Sequence, residues 1–272
     1  MSRPIRLLIS DIDGTLVRHD KTLSDGVIAA VSRAQAAGLA VSLISARPPS
    51  GMLWIAEKLK LTGPIGAFNG ATIVQPDGTV VSAEHIEPEL AGRVLTALDQ
   101  PGVTPWLFAD GKWYAQTTDS EYVERERLAA NVEPVIRQEF AELTARADKI
   151  VGVSDDHDAL AALEQKVAGE LGEAATVVRS QPYYLDVTAL HGNKGDGVTA
   201  LAQAYGVSLD EVAVMGDQNN DLAMFKVAAF SVAMGQAPDN VRAAASVTAA
   251  SNEDDGVADA IDRLILPRLQ DQ

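Results

Sequence analysis

Short apolar runs alternate with longer helical patterns at both ends of this 272-residue chain, and that alternation constrains the fold more than any other feature. Ile5 to Ser10 reads as a buried strand. Ser24 can cap a helix from Asp25 to about Ala37, ended by Gly38. Leu39 to Ser45 is a second strand, and Pro48-Pro49 suits the first turn of a helix reaching about Leu61. Ile65 to Phe68 is a third strand. Ala71 to Val74 and Thr79 to Ala83 flank the turn Gln75-Pro76-Asp77-Gly78 as a hairpin. The alternation returns late, with strands at Glu211 to Met215, Ser231 to Met234 and Ser246 to Ala249, and a last helix from about Asp254 to Leu266. Parallel strands need crossover helices, and those helices cover both sheet faces.

The middle reads differently. A second hairpin runs from Trp106–Ala109 through Asp110-Gly111 into Trp113–Gln116. Helical stretches follow near Glu121–Ala130 and Asp158–Leu171, with strands at Ile150–Ser154 and Thr176–Ser180. The expectation is an α/β fold: a Rossmann-like parallel-sheet core with helices on both faces, from residues 1–83 and 187–272, and an inserted α+β module over residues 84–186. Charge marks the same edge. The insert holds 20 acidic and 9 basic residues, a net of −11 out of −16 for the whole chain.

That acidity disfavours nucleic acid and anionic membranes as partners. There is no cysteine, which removes thiol nucleophiles, disulfides and cysteine-based metal sites. The four histidines, His19, His85, His157 and His191, form no metal-binding pair. The apolar run in Met1–Ser10 is too short for a signal peptide, and no apolar stretch approaches a membrane span, so a cytoplasmic protein is expected.

The chemistry concentrates at strand-to-helix junctions. Asp11-Ile12-Asp13-Gly14-Thr15-Leu16 follows the first strand, and in such sheets ligands bind at the carboxyl ends of strands. Ser45-Ala46-Arg47 closes the second strand, where a hydroxyl and free backbone N–H groups can seat a phosphate. Gly216-Asp217-Gln218-Asn219-Asn220-Asp221 follows a late strand and offers an oxygen-rich site for a hard cation. Lys194, in His191-Gly192-Asn193-Lys194-Gly195, stands between a strand and a helix, within reach of a phosphate. Each has an ordinary reading as a turn, a cap or a solvated lysine. Four such junctions in one chain order favour a shared site.

The order DxDGT, Ser, Lys, GDxxND resembles the haloacid dehalogenase superfamily of phosphohydrolases, and the insert looks like the α/β cap of its Cof-type branch, subclass IIB. Ser45-Ala46-Arg47 stands where that family usually has Thr-Gly-Arg; serine keeps the hydroxyl. Asn69-Gly70 in Ala67–Ala71 resembles an Asn-Gly-Ala of this branch that borders the active site. The resemblance implies a phosphatase of small phosphorylated metabolites, sugar phosphates first, working through an aspartyl-phosphate. It implies Asp11 as nucleophile and Asp13 as general acid and base. Mg²⁺ would be held by Asp11, Asp13 and Asp217 with Asp221 in support, and phosphate by Ser45, Ala46, Lys194 and Asn220. Arg47, Asn69, Gly70 and His191 are substrate-side candidates.

A phosphotransferase or phosphomutase would keep the same nucleophile, and a phosphoacceptor domain like a signalling receiver is a third reading. Receivers lack a large insert, and Asp13 supplies a means of dephosphorylation. Trp106, Trp113, Tyr183 and Tyr184 could contact a ring, though such residues on strands commonly pack. The acidic insert suggests a substrate with one phosphate on a neutral or cationic remainder. Oligomeric state is not encoded in these patterns.

Overall fold

The computed structural model describes residues 3–269. The chain opens with β1 (Leu7–Ser10), α1 (Asp25–Ala36), β2 (Ala40–Leu43) and α2 (Ser50–Lys58). A small antiparallel sheet follows: β3 (Ile65–Ala67), β4 (Thr72–Val74) and β5 (Val80–Ala83). The insert supplies α3 (Pro88–Leu98), β6 (Thr104–Ala109), β7 (Lys112–Ala115), α4 (Tyr122–Ala130) and β8 (Pro134–Ile136). It continues with β9 (Ala147–Val153), α5 (His157–Leu171), β10 (Ala175–Gln181) and β11 (Tyr184–Ala189). The chain closes with α6 (Lys194–Tyr205), β12 (Val212–Gly216), α7 (Leu222–Val227), β13 (Phe230–Ala233), α8 (Asp239–Ala244), β14 (Val247–Thr248) and α9 (Gly256–Ala260).

The core sheet is five-stranded and parallel, in the order β14-β13-β12-β1-β2. Its strands read as unbroken apolar runs because both faces are buried. Leu8, Val41, Leu43, Ala213 and Met215 pack with Val27, Ala30 and Val31 of α1 on one face. Leu7, Ile9, Val212 and Val214 pack with Val198 and Leu201 of α6 and Met224 of α7 on the other. Each such side chain contributes about 1.5–3 kcal/mol when fully buried.

The insert forms a six-stranded sheet, β10-β11-β9-β6-β7-β8, antiparallel except at β7–β8. One face carries α3 and α5, with Val94, Leu98, Leu160 and Val167 over Leu107, Ile150 and Leu185. The other face turns toward the core. There Trp106, Phe108 and Trp113 are fully buried in one cluster with Met52, Ile55 and Phe68. Both tryptophans therefore serve as packing residues.

Several expected boundaries shift for local reasons. β11 runs to Ala189, so residue 186 lies inside a strand of the insert's sheet. Asp186 is buried within that strand. α1 begins as expected, with the Ser24 hydroxyl accepting from the Val27 N–H at 3.0 Å. α2 starts only at Ser50. Pro49 biases Pro48 away from helical geometry, which delays the helix. Ser45 consequently sits in a loop, with no helix N-terminus immediately behind it. The last helix is broken up as α9, a wider turn at Ile261–Ile265 and a short 3₁₀ turn at Leu266–Arg268, where Pro267 removes a donor.

Candidate active site

The carboxyl ends of β1, β2 and β12 converge with the start of α6. Asp11 follows β1 and is buried, its backbone N–H donating to the Met215 carbonyl of β12 at 2.9 Å. Lys194 begins α6 with its side chain fully buried. Its Nζ donates to Asp11 Oδ1 at 2.5 Å and to Asp221 Oδ1 at 2.6 Å. The two carboxylates hold this lysine above its ordinary range although burial acts the other way.

Asp217 and Asp221 follow β12. Asp221 Oδ2 accepts from the backbone N–H groups of Asp217 at 2.7 Å and Gln218 at 2.8 Å. Both Asp221 oxygens are thus engaged, and this residue braces the loop. Thr15 Oγ1 donates to Asp217 Oδ1 at 2.9 Å. Gly14 adopts φ +79°, and a Cβ there would lie 2.4 Å from Asp217 Oδ2, so this turn requires glycine.

One carboxylate oxygen each from Asp11, Asp217 and Asp221 lies within 4.8 Å of the others. Such an all-oxygen, buried set suits a hard divalent cation. Burial opposes ionisation of Asp11 and Asp217. Burial, incompletely offset by Lys194, pushes Asp11 from 3.8 up to about 7. Asp217 is raised by burial and by its two acidic neighbours.

This carries a sign. Between about pH 4 and 7 the metal-free native state binds more protons at Asp11 than the unfolded chain does, so its stability falls as pH rises. Thermal unfolding in chelator across that window should show the fall, and Asp11→Asn should flatten it. An unchanged slope in the variant would contradict the assignment.

Asp13 points elsewhere. Its carboxylate accepts from Arg47 Nε at 2.6 Å, Arg47 Nη2 at 2.8 Å and Lys21 Nζ at 2.5 Å. Burial works against its charge, yet Arg47 and then Lys21 hold its carboxyl well below the usual range. Arg47 is itself buried and donates to the Gly51 carbonyl at 3.0 Å. It faces Asp13, not solvent.

Ser45 and Asn220 are buried and line the same cleft as Asp11. Asn220 Nδ2 donates to Asn69 Oδ1 at 3.3 Å, which brings Asn69 to the site's edge. Asn69 Nδ2 and Asn220 Oδ1 are buried without a partner among the described residues. Gly70 serves the fold instead: at φ +99°, a Cβ would meet Gly197 Cα of α6 at 2.4 Å. His191 does not join the site. It is exposed and hydrogen-bonded to Asp196 at 2.9 Å, because its loop turns outward before Asn193 caps α6. His19 lies on an outer vestibule of about 310 Å³.

The insert closes the cleft. Lys149 Nζ of β9 donates to the Ala46 carbonyl at 2.9 Å, and Ser50 Oγ donates to the Ala130 carbonyl of α4 at 2.7 Å. A Cβ at Gly51 would meet the Ala129 carbonyl at 2.1 Å, so glycine lets α4 seat on α2. Sequence reading missed Lys21, Arg125, Glu126, Lys149, Ser180, Gln181 and Gln218, all of which line the cleft. Two signals were present. Lys149 is in phase with buried Val151 and Val153 on β9, and Glu126 shares a helical face with Tyr122, Val123 and Ala130.

Two acids after the first strand of a parallel sheet, a buried lysine, an acidic loop after a neighbouring strand and a covering insert make up the candidate site. The chain belongs to the haloacid dehalogenase-like hydrolases, whose family model matches residues 8–261. It is similar to a putative phosphatase of Haemophilus influenzae, 28% identical over 93% of this chain and 95% of the relative. It is also similar to the HMP-PP phosphatase of Cronobacter sakazakii, 28% identical over 85% of each chain. A solved haloacid dehalogenase-like hydrolase from Bacillus subtilis superposes with a TM-score of 0.86 at 25% identity, covering 96% of this chain and 100% of that one. The protein is thus an enzyme of the phosphatase type. No helix among the described residues is long and apolar enough to cross a membrane.

Proposed function

We propose that this enzyme is a Mg²⁺-dependent phosphatase that hydrolyses phosphate monoesters of small metabolites, sugar phosphates foremost, through an aspartyl-phosphate at Asp11. The carrying observation is the contact of Asp11 with Lys194 beside Asp217, opposite an independently held Asp13. Asp11 and Asp217 fit Mg²⁺, with the Asp13 backbone carbonyl, and Asp221 fixes their loop. The bound ion would supply positive charge that offsets repulsion between Asp11 and an anionic substrate.

The protein's own groups divide the work. Asp11 attacks phosphorus in line, forming a P–O bond as the ester P–O bond breaks. Asp13, held ionised here by Arg47 and Lys21, would take up a proton as substrate displaces those contacts, give it to the leaving oxygen, and then accept one from the water that cleaves the aspartyl-phosphate. Water yields inorganic phosphate and returns Asp11 as a carboxylate. Lys194, Ser45 and Asn220 hold the phosphoryl oxygens, and backbone N–H groups near Ile12, Asp13 and Ala46 add donors. Arg47 and Lys21 hold Asp13 where inner cleft and vestibule meet, since it lines both. The insert acts as the cap, excluding water and selecting the leaving group.

The test is phosphate release from a panel of phosphorylated metabolites with Mg²⁺, with chelator and with Ca²⁺. Release with Mg²⁺ alone is expected. Release undiminished by chelator would sink the metal assignment. Transfer to an added sugar, without phosphate release, would favour the phosphotransferase reading.

Asp13→Asn adds a second expectation. General acid catalysis contributes about 10²–10⁴-fold, and a poor leaving group needs it most. The variant should therefore lose far more activity on alkyl phosphates than on the first turnover of p-nitrophenyl phosphate. Equal losses in rapid-quench assays would remove Asp13 from that role.

A further inference from the structure

β13 and β14 stand beyond β12 in the parallel sheet, so their carboxyl ends open on the same side as Asp11 and Asp217. Gln236 follows β13 and Asn252 follows β14. Both line the vestibule together with Asp13, Gly14 and Lys21.

The segment they meet carries the chain from Asp13 to α1. From Gly14 to Leu23 it has no helix or strand of its own. Its internal bonds are few. The N–H groups of Thr15, Leu16 and Val17 converge on the Ile12 carbonyl, and the Arg18 N–H donates to the Thr22 carbonyl at 2.9 Å. Lys21, at φ +67°, reaches back to the Asp13 carboxylate. A loop with so few bonds moves unless other elements pin it.

Two amides pin this one. Gln236 Nε2 donates to the Gly14 carbonyl, and Asn252 Nδ2 donates to the Val17 carbonyl at 2.9 Å. Those carbonyls bracket the turn that directly follows Asp13, and Asp13 itself pairs with Val17 across that turn. The amides also interlock, because the Asn252 N–H donates to Gln236 Oε1 at 3.2 Å. Asn252 and Val17 are buried, so their bond is costly to leave unmade. Farther out, the His19 N–H donates to Glu253 Oε1 at 2.7 Å, and Arg18 meets Asp255 at 3.3 Å. That outer ion pair is part-exposed and holds little. The pinning loops are themselves tight: a Cβ at Gly235 would lie 2.9 Å from the Ala249 carbonyl, and one at Gly256 would lie 2.2 Å from that of Ala250.

We propose that Asn252 and Gln236 are positioning residues for Asp13, holding the turn at Gly14–Val17 so that one carboxyl can serve both the leaving oxygen and the attacking water. This rests on the acid–base role given to Asp13 above and extends it to two loops outside the reacting groups. Proton transfer needs that carboxyl within hydrogen-bond reach in both steps. A misplacement of about 1 Å can cost about 10²-fold.

The test uses the full-length enzyme with Mg²⁺ and three variants: Asn252→Ala, Gln236→Ala and the double substitution. Each is assayed on the sugar phosphate that the wild type hydrolyses fastest, and on the first turnover of p-nitrophenyl phosphate, whose leaving group needs little acid help. Asn252→Ala should lower kcat on the sugar phosphate about ten- to a hundredfold. Its KM, and the p-nitrophenyl phosphate turnover, should stay within about threefold of wild type. Gln236→Ala, at an exposed residue, should show the same pattern more weakly, and it carries the test if Asn252→Ala does not fold. The double variant should fall no further than Asn252→Ala, since both amides act on one turn. A purely structural role would lower both substrates alike. Equal losses on the two substrates, a rise in KM with kcat kept, or unchanged kcat in the folded variants would overturn the proposal. If Asp13→Asn itself shows no dependence on the leaving group, the underlying acid–base reading falls instead.

Discussion

Asparagine in place of Asp11 should lower phosphate release by about four orders of magnitude or more, the scale seen when a nucleophile is deleted from a working constellation. The amide keeps the shape of the side chain but cannot attack phosphorus. The fold should survive, because Lys194 retains its 2.6 Å contact with Asp221 and the Asp11 N–H keeps its bond to Met215. The loss should appear in kcat with every leaving group, including p-nitrophenol. An Asp11→Asn enzyme turning over within tenfold of wild type would show that another group attacks.

Lys194→Met should fail differently, losing stability as well as activity. Lys194 is the cation bonded to both Asp11 and Asp221, whose side chains are 7% and 0% exposed. Removing one partner of a buried ion pair leaves an uncompensated charge and costs about 3–5 kcal/mol. For a chain of this size that lowers the melting temperature by roughly 10 °C. Adding Asp221→Asn should recover part of the stability but none of the activity. Differential scanning calorimetry and phosphate-release assays on both variants separate the two effects. A Lys194→Met protein as stable as wild type would mean that Asp11 and Asp221 are neutralised by other means.

How legible these features were depends on their range. The parallel core was readable because its strands are buried on both faces and its helices carry local caps, as at Ser24. The motifs that meet at the candidate site were readable because each lies at a strand-to-helix junction, where topology brings distant segments together. Residues whose partners come from the cap were hidden. Lys149 is defined by Ala46 across the core–cap junction, and Glu126 by the cleft it faces. No local pattern encodes that meeting. Both broke a local rule, a charge at a core-facing position, and such violations concentrate at functional sites. Asp186 broke the same rule within β11.

The net charge of the cap is a coarser guide than the side chains that line the cleft. A value of −11 suggested an acidic reception for the substrate, yet Lys149 and Arg125 of the cap line the cleft beside Glu126. Solvated acids on the outer surface dominate the sum, while the cleft is set by a few buried side chains. Electrostatics at the site follow local geometry more closely than composition.

The central claim is that phosphate passes through Asp11. Borohydride reduces an acyl phosphate to an alcohol, so it converts aspartyl-phosphate into homoserine. The direct measurement is to mix the Asp13→Asn enzyme with p-nitrophenyl phosphate and Mg²⁺, quench into borohydride, and sequence the peptides by mass spectrometry. Homoserine at position 11, dependent on substrate and on Mg²⁺, is the expected result. Homoserine at another carboxylate, or none at position 11 while p-nitrophenol is released, would contradict the account.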